Sequence, residues 1–307
     1  MGNLRVSVLI VEYASRTYLP ACLEALEAST LARDRFEIIV VDNASPTPVG
    51  DLAKSFPNVR FVTSRRNLGF AGGNLLAYRY ARGEHIALVN PDAIAAPDWL
   101  SRVLQPFVLP KVGVVGSKML HPSTRVLQHA GGVLFPNGRS EHRGRGQNDV
   151  GQYDTLADVD YVCGAAIAVS RELIDEIGFL SPAYYPAYYE ETELCVRARR
   201  AGFRVVYAPD AVVEHHEVVA SGGARASTYL RRYHENRVRF VIRNYSPREI
   251  VRRFLPEEAR FIARGCPASE RRICFSAYLD ALRGAWDVSR GEPRAGDVIA
   301  DSWKGAV

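Results

Sequence analysis

The sequence predicts an α/β fold: a mostly parallel central sheet flanked by helices, with a helical C-terminal extension. Three observations predict it. Short apolar runs alternate with stretches of helical spacing through the first third of the chain. Those runs end in polar residues at the point where a parallel sheet places its ligands. After about Ser221 the chain turns Arg-rich and aromatic-dotted, with a helical character.

Taken in order, Val6–Val11 reads as a buried parallel strand, and Tyr18, Leu19, Cys22, Leu23 and Leu26 recur at helical spacing. Ile38–Val41 is a second strand ending at Asp42-Asn43, and Val59–Val62 a third. A helix from Leu75 to Ala81 is expected after the glycines Gly69, Gly72 and Gly73. Ile86–Val89 is a fourth strand ending at Asn90-Pro91-Asp92, and Pro97 suits the first turn of the next helix. Val112–Val115 reads as a further strand, and Gly131-Gly132 with Pro136-Asn137-Gly138 as a hairpin-like region. Arg139 to Gly151 is polar and Gly-rich, expected as a mobile loop or a solvated connector. Cys163-Gly164-Ala165-Ala166 interrupts an apolar run with small residues, which permit close approach of a backbone or ligand. A helix from about Glu191 to Ala201 stops at Gly202; Val205–Tyr207 and Ala211–Val213 read as two short strands leading to His215-His216. The expected division is a domain over 1–223, with halves of about 1–110 and 111–223, and a mainly helical extension over 224–307.

Composition narrows the class. The chain has 307 residues, a net charge of +5 and 47% hydrophobic residues, enough for one large α/β domain with an appended piece. Its five cysteines form no C-x-x-C pair, which fits reduced thiols and a cytoplasmic setting. Val6–Val11 is too short for a signal peptide, and no apolar run is long enough to predict a membrane span. The arginines from Arg225 to Arg253 read either as a solvated helical face or as a surface for an anionic partner, including the inner face of a membrane. Nucleic acid is not expected, because the basic residues lie outside any reading motif.

The chemistry should sit just beyond the strands. Glu12-Tyr13-Ala14-Ser15-Arg16 after the first strand is neither G-x-G-x-x-G nor a P-loop. Asp42 can accept hydrogen bonds from a ribose or a base, or can cap the turn Asn43-Ala44-Ser45-Pro46. Asp92 can join a divalent cation to a diphosphate, or belong to an ordinary Asn-Pro-Asp turn. Glu190-Glu191-Thr192-Glu193 opens a helix, where acidic residues suit the dipole. Preceded by Tyr184, Tyr185, Tyr188 and Tyr189, those carboxylates also suit a sugar site with a proton acceptor for a hydroxyl nucleophile. His215 can supply a second ligand to a cation near Asp92, or be half of a surface His pair with His216.

Together and in order, these stretches resemble the family 2 glycosyltransferases of bacteria, which have the Rossmann-like GT-A fold, and most closely the rhamnosyltransferase-like branch. The matching text runs from about Val6 to Glu217: Val6–Val11, Val40-Val41-Asp42-Asn43-Ala44-Ser45, Asn67–Asn74, Asn90-Pro91-Asp92-Ala93, His129-Ala130-Gly131-Gly132, Gly164-Ala165-Ala166, Tyr188–Leu194 and His215-His216. The resemblance implies a nucleotide-sugar donor held by Val11, Glu12, Tyr13, Asp42, Asn67, Gly69, Gly73, Asn90 and Asp92. It implies Mg²⁺ or Mn²⁺ on Asp92 and His215, Glu191 as the catalytic base, and an acceptor side formed by Gly164, Tyr188, Tyr189 and Glu190. The implied reaction is an inverting transfer from dTDP-rhamnose or a UDP-sugar to a hydroxyl of a glycan, lipid-linked saccharide or secondary metabolite. Three features depart from the family pattern. Glu12-Tyr13-Ala14 replaces Thr-Tyr-Asn, Glu191 and Glu193 replace the usual aspartates, and the segment after Ser221 matches nothing assigned. Two other readings remain at this point. A sugar-nucleotide pyrophosphorylase needs a Gly-rich basic loop that Ala14-Ser15-Arg16 does not supply. A degenerate, non-catalytic transferase would bind partners through the Arg-rich tail.

Overall fold

A computed structural model describes residues 4–217 and 224–288. The boundary at Gly223, the Arg225 side chain and residues 289–307 lie outside the described residues. The described chain forms two compact units. One contains the residues up to Val133 with His142–Pro186 and Glu190–His216; the other contains Leu134–Glu141, Ala187–Tyr189 and the residues from Glu217 onward. The compact division thus falls at His216, and two internal segments of the expected 1–223 domain group with the extension.

The first unit is built on a ten-stranded sheet. Strands β1 (Val6–Glu12), β2 (Phe36–Asp42), β3 (Val59–Thr63) and β4 (His85–Val89) lie parallel in the order β3-β2-β1-β4. They are the four expected strands, each extended by a residue or more. The Val, Ile and Leu of β1, β2 and β4 are nearly all buried, as a parallel sheet covered by helices requires, while β3 at the edge of the sheet is only partly buried. Helices α1 (Leu19–Glu27) and α2 (Gly69–Tyr78) connect them. The glycines expected ahead of α2 are inside it. Gly73 is the reason: a Cβ there would lie 2.5 Å from a Val11 methyl, so only glycine lets α2 close onto β1.

Beyond β4 come β5 (Ala93–Ala95), α3 (Trp99–Leu104), β6 (Val112–Leu120), β7 (Leu127–His129), and the short strands β8 (Gly132–Leu134) and β9 (Ser140–His142) flanking the Pro136–Gly138 turn. Then follow β10 (Ala157–Asp158), β11 (Ala166–Ser170), α4 (Arg171–Ile177), α5 (Glu190–Arg200) and β12 (Arg204–His215). β11 runs antiparallel between β4 and β6, and β12 lies parallel to β6. The two short strands expected at 205–213 are one strand whose register against β6 breaks between Ala208 and Val212, where Pro209 cannot donate to the ladder.

In its first-unit portion the Arg139–Gly151 segment is hydrogen-bonded to neighbouring elements. Arg143 Nε donates to the Ala130 carbonyl at 2.6 Å, and the Gly146 amide to Leu127 O at 2.8 Å. Asp149 accepts from the buried Lys118 ammonium at 3.0 Å.

In the second unit α6 (Ala224–Asn244) packs against the Ala268–Val288 helix, with helical turns from Pro247 to Gly265 between them. Arg237, fully buried, bonds both oxygens of Glu258 at 2.6 Å, and donates to the Asn137 carbonyl at 3.0 Å. Asn137 Nδ2 donates to Glu258 at 2.8 Å, completing a buried network that leaves Arg237 Nε without a hydrogen-bond partner.

Candidate active site

Sheet register sets the strand-end carboxylates. Glu12 lies opposite Asp42 in the β1–β2 pairing. Asp42 accepts from the Ser45 amide at 2.9 Å and the Val49 amide at 3.1 Å, the turn-capping role. Glu12 Oε1 accepts from the Ser15 amide at 2.8 Å and Ser45 Oγ at 3.3 Å. Burial pushes the Glu12 carboxyl up, against those two hydrogen bonds. Both carboxylates therefore clasp the loops after β1 and β2, and neither is open to solvent. Tyr13, between those loops, is 48% exposed and leaves a flat face for a base. Asn43, missing from the sequence-predicted set, donates to Asn67 Oδ1 at 3.1 Å and Gly69 O at 3.2 Å, and accepts from the Leu68 amide at 2.8 Å. It ties the Asn67–Gly69 turn, with Gly69 at φ +71°, to the end of β2. Val11 takes part through its packing on Gly73.

A second group forms where β5 pairs with the end of β12, Ala93 opposite His215. The His216 amide donates to the Asp92 carbonyl at 3.0 Å. This brings Asp92 Oδ1 to 3.3 Å from His215 Nε2, both side chains 10% exposed. Asn90 Nδ2 lies 3.5 Å from the same nitrogen. Gln128 on β7 fixes the imidazole. Its Nε2 donates to the His215 carbonyl, which can only accept, and meets His121 Nδ1 at 3.0 Å. Its Oε1 is thus the atom 3.0 Å from His215 Nδ1 and accepts that proton. In the neutral ring Nε2 then presents a lone pair to the Asp92 carboxylate. Two acceptors this close call for a positive charge, and one carboxylate oxygen with one imidazole nitrogen suits Mn²⁺ or Mg²⁺. Among the described residues no group of three or more His, Cys, Asp and Glu is placed to hold a metal. The sequence gives no signal for Gln128 beyond its place beside His129.

The third group is the first turn of α5. The Asn90 amide donates to the Ala165 carbonyl at 2.8 Å, tying the end of β4 to the segment before β11. At the neighbouring Gly164, a Cβ would lie 3.4 Å from both Glu191 Cγ and Phe70 Cζ. The Glu191 side chain therefore lies in contact range of Gly164, the residue before Ala165. Packing around it pushes the Glu191 carboxyl up to about 7, against a hydrogen bond from Thr192. His129, from the matched His-Ala-Gly-Gly stretch, holds this wall: the Cys163 amide donates to its Nε2 at 3.2 Å, so Nδ1 carries the proton it shares with His142 Nδ1 at 2.8 Å. Glu190 is buried at 1% exposure, and Tyr184 Oη donates to Glu193 at 2.9 Å.

Two expected acceptor-side residues group elsewhere. Tyr188 and Tyr189 belong to the second unit. Tyr188 stacks edge-on against Tyr229, with ring centroids 5.0 Å apart. Tyr189 is 2% exposed, packs on Tyr233 and Phe240, and donates to Gly138 O at 2.7 Å. Its ring is filled by protein rather than offered to a sugar.

Residues 7–178 match the family model described as Glycosyl transferase family 2. An uncharacterized protein, y4gI, of Sinorhizobium fredii is 31% identical over 232 residues, covering 72% of this chain but only 25% of that protein. An N-acetylglucosaminyl-diphospho-decaprenol L-rhamnosyltransferase of Mycobacterium tuberculosis is 24% identical over 274 residues, covering 78% of this chain and 84% of its own. Among solved structures, the mannosyltransferase PcManGT of Pyrobaculum calidifontis, in complex with GDP-Man and Mn²⁺, superposes with a TM-score of 0.59 at 21% identity, covering 98% of this chain and 79% of that one.

Proposed function

The chain belongs to glycosyl transferase family 2 and has a GT-A fold, and we propose that it transfers a sugar from a nucleotide-diphosphate donor to a hydroxyl acceptor, with inversion and with the help of a divalent cation. The observation that carries this reading is the first turn of α5, where Glu191 packs beside Gly164 and its carboxyl is raised to about 7. A carboxyl at that value is half ionised near neutrality and is a competent base for a sugar hydroxyl.

In this reading the base and ribose lie over the strand ends beside Tyr13, with Asp42 and Glu12 shaping the loops around them. Asn67, Gly69 and Asn90 line the path toward the diphosphate. Asp92 Oδ1 and His215 Nε2 hold the cation, which offsets charge on the leaving diphosphate. Glu191 takes the proton of the acceptor hydroxyl as that oxygen attacks the anomeric carbon from the face opposite the leaving group. General-base catalysis of this kind contributes about 10²–10⁴-fold. The donor class we favour is a dTDP-rhamnose or UDP-sugar, consistent with the activity named for the mycobacterial relative. The acceptor class is a glycan, lipid-linked saccharide or secondary metabolite. The 1–223 region supplies the catalysis and the remainder is an extension. No helix among the described residues is long and apolar enough to cross a membrane. Exposed Val251 and Leu255 lie on one helical stretch with the exposed Arg252 and Arg253. They support peripheral contact with the inner face of the cytoplasmic membrane.

The test is donor turnover with Mn²⁺ across UDP-, GDP- and dTDP-sugars. Glu191→Gln should lower transfer at least 100-fold with donor binding retained. Asp92→Ala should remove the metal-dependent part of donor binding. Wild-type turnover in Glu191→Gln, or binding indifferent to chelator in the unaltered protein, would refute the respective role.

A further inference from the structure

Directly before Glu190 and Glu191 the backbone does something side chains resist. Tyr188 has φ +84° and Tyr189 φ +81°, two consecutive left-handed residues that are not glycine. Strain of this kind persists only where surrounding structure over-determines it, and it clusters at functional sites. The surroundings that hold it lie in the second unit. Asn236 on α6 is 2% exposed, and its Nδ2 donates to two carbonyls in succession, Ala187 O at 2.9 Å and Tyr188 O at 3.2 Å. Arg239 Nη1 donates to Asn236 Oδ1 at 3.0 Å. A guanidinium can only donate, so the amide is fixed with its NH₂ toward the two carbonyls. Tyr189 is pinned at its far end by the hydrogen bond to Gly138 O. Gly138 itself sits in the turn that the Arg237–Glu258–Asn137 network holds.

We propose that Asn236 is a positioning residue for Glu191: by clamping the Ala187 and Tyr188 carbonyls it keeps the strained Tyr188–Tyr189 pair in the conformation from which the chain enters α5, two residues before the base. The inference rests on the reading of Glu191 as base and gives the otherwise unassigned extension a catalytic consequence. Glycine adopts φ near +80° without penalty, so a clamp is needed only because tyrosines stand there. Without the clamp the pair relaxes, and a displacement of about 1 Å at a reacting group costs up to about 100-fold in rate.

The experiment follows Mn²⁺-dependent hydrolysis of UDP-glucose, GDP-mannose and dTDP-rhamnose in Asn236→Asp, Tyr188→Gly, Glu191→Gln and their pairwise combinations. Asn236→Asp keeps the size and the acceptor for Arg239 but loses both donated bonds. It should lower kcat by about 10–100-fold with the donor KM within twofold. Tyr188→Gly in the same chain should restore most of that loss, because the glycine no longer needs the clamp. In Glu191→Gln the Asn236→Asp change should have no further effect. An unchanged kcat in Asn236→Asp, or the same loss with and without Glu191, overturns the proposal while leaving the base reading standing. Full turnover in Glu191→Gln overturns the base reading and the positioning role together. A loss in Asn236→Asp accompanied by a collapsed thermal transition and no recovery with Tyr188→Gly marks a purely structural residue and also overturns it.

Discussion

Glu191 should make the protein less stable than it need be, and the penalty should depend on pH. Its carboxyl stands at about 7 against an ordinary 4.5 because packing penalises the charged form. A carboxyl raised in the folded state favours folding while it is protonated in both states, below about 4.5. That contribution is lost as pH rises through 7, where the folded protein must ionise a poorly solvated group. At about 1.4 kcal/mol per pH unit the full penalty is about 3.5 kcal/mol, which the partial exposure of the side chain trims to about 2 kcal/mol. Glu191→Gln removes the ionisation and keeps the shape. At roughly 2 °C per kcal/mol for a chain of this size, the variant should melt about 4 °C above the wild type at pH 8.5. At pH 5, where the wild-type group is neutral, the two should melt within about 1 °C of each other. Thermal melts of both proteins in matched buffers decide it. An equal difference at the two pH values would mean that the carboxyl is not held up by its surroundings, and that its suitability as a base near neutrality has no physical source here.

Three other outcomes are expected. Gln128→Leu removes the acceptor that holds the His215 Nδ1 proton, so Mn²⁺ affinity measured by electron paramagnetic resonance with UDP present should fall about 10–100-fold; unchanged affinity would show that the tautomer is set elsewhere. His234 is pushed down to about 4, chiefly by burial and then by the nearby Arg237. A His depressed in the fold is neutral there, so its contribution is present above 6.5 and is lost as pH falls from 6.5 toward 4. Urea titrations should show stability falling by up to about 1.4 kcal/mol per pH unit over that range, and His234→Gln should flatten the fall. Arg237→Ala leaves Glu258 buried without its cation and should cost about 3–5 kcal/mol; a melt within a degree of wild type would show that the second unit does not depend on this pair.

The parallel half of the sheet was legible because a strand buried on both faces writes itself as a nearly continuous apolar run, as β1, β2 and β4 do; the edge strand β3, with Arg60 exposed, carries the shortest such run. The antiparallel half was not. β12 reads as two strands because Pro209 and Asp210 break the apolar pattern where the register shifts, yet pairing with β6 carries the strand through. α2 was expected to begin after its glycines because glycine is a poor helix former. Its start was decided instead by the room that Gly73 leaves for Val11, a contact 62 residues away in sequence and invisible locally.

The same limit governs the site. Residue types and their places after strands put Asp42, Asp92 and His215 forward as candidates, because a buried strand exposes only its end to a ligand, and Glu191 came from the acidic first turn of a helix. What each group does depends on partners that spacing does not reveal. Asp42 and Glu12 look alike from the sequence as donor contacts. In the fold each is held by the amides of its own turn, and Ser45 serves both, one through its amide and one through its hydroxyl. These two carboxylates are thus engaged in holding loops, whereas Asp92 Oδ1 and His215 Nε2 meet at 3.3 Å on a different edge of the sheet. The Glu12 departure from the family pattern is therefore best understood as a change in how the first two loops are tied together.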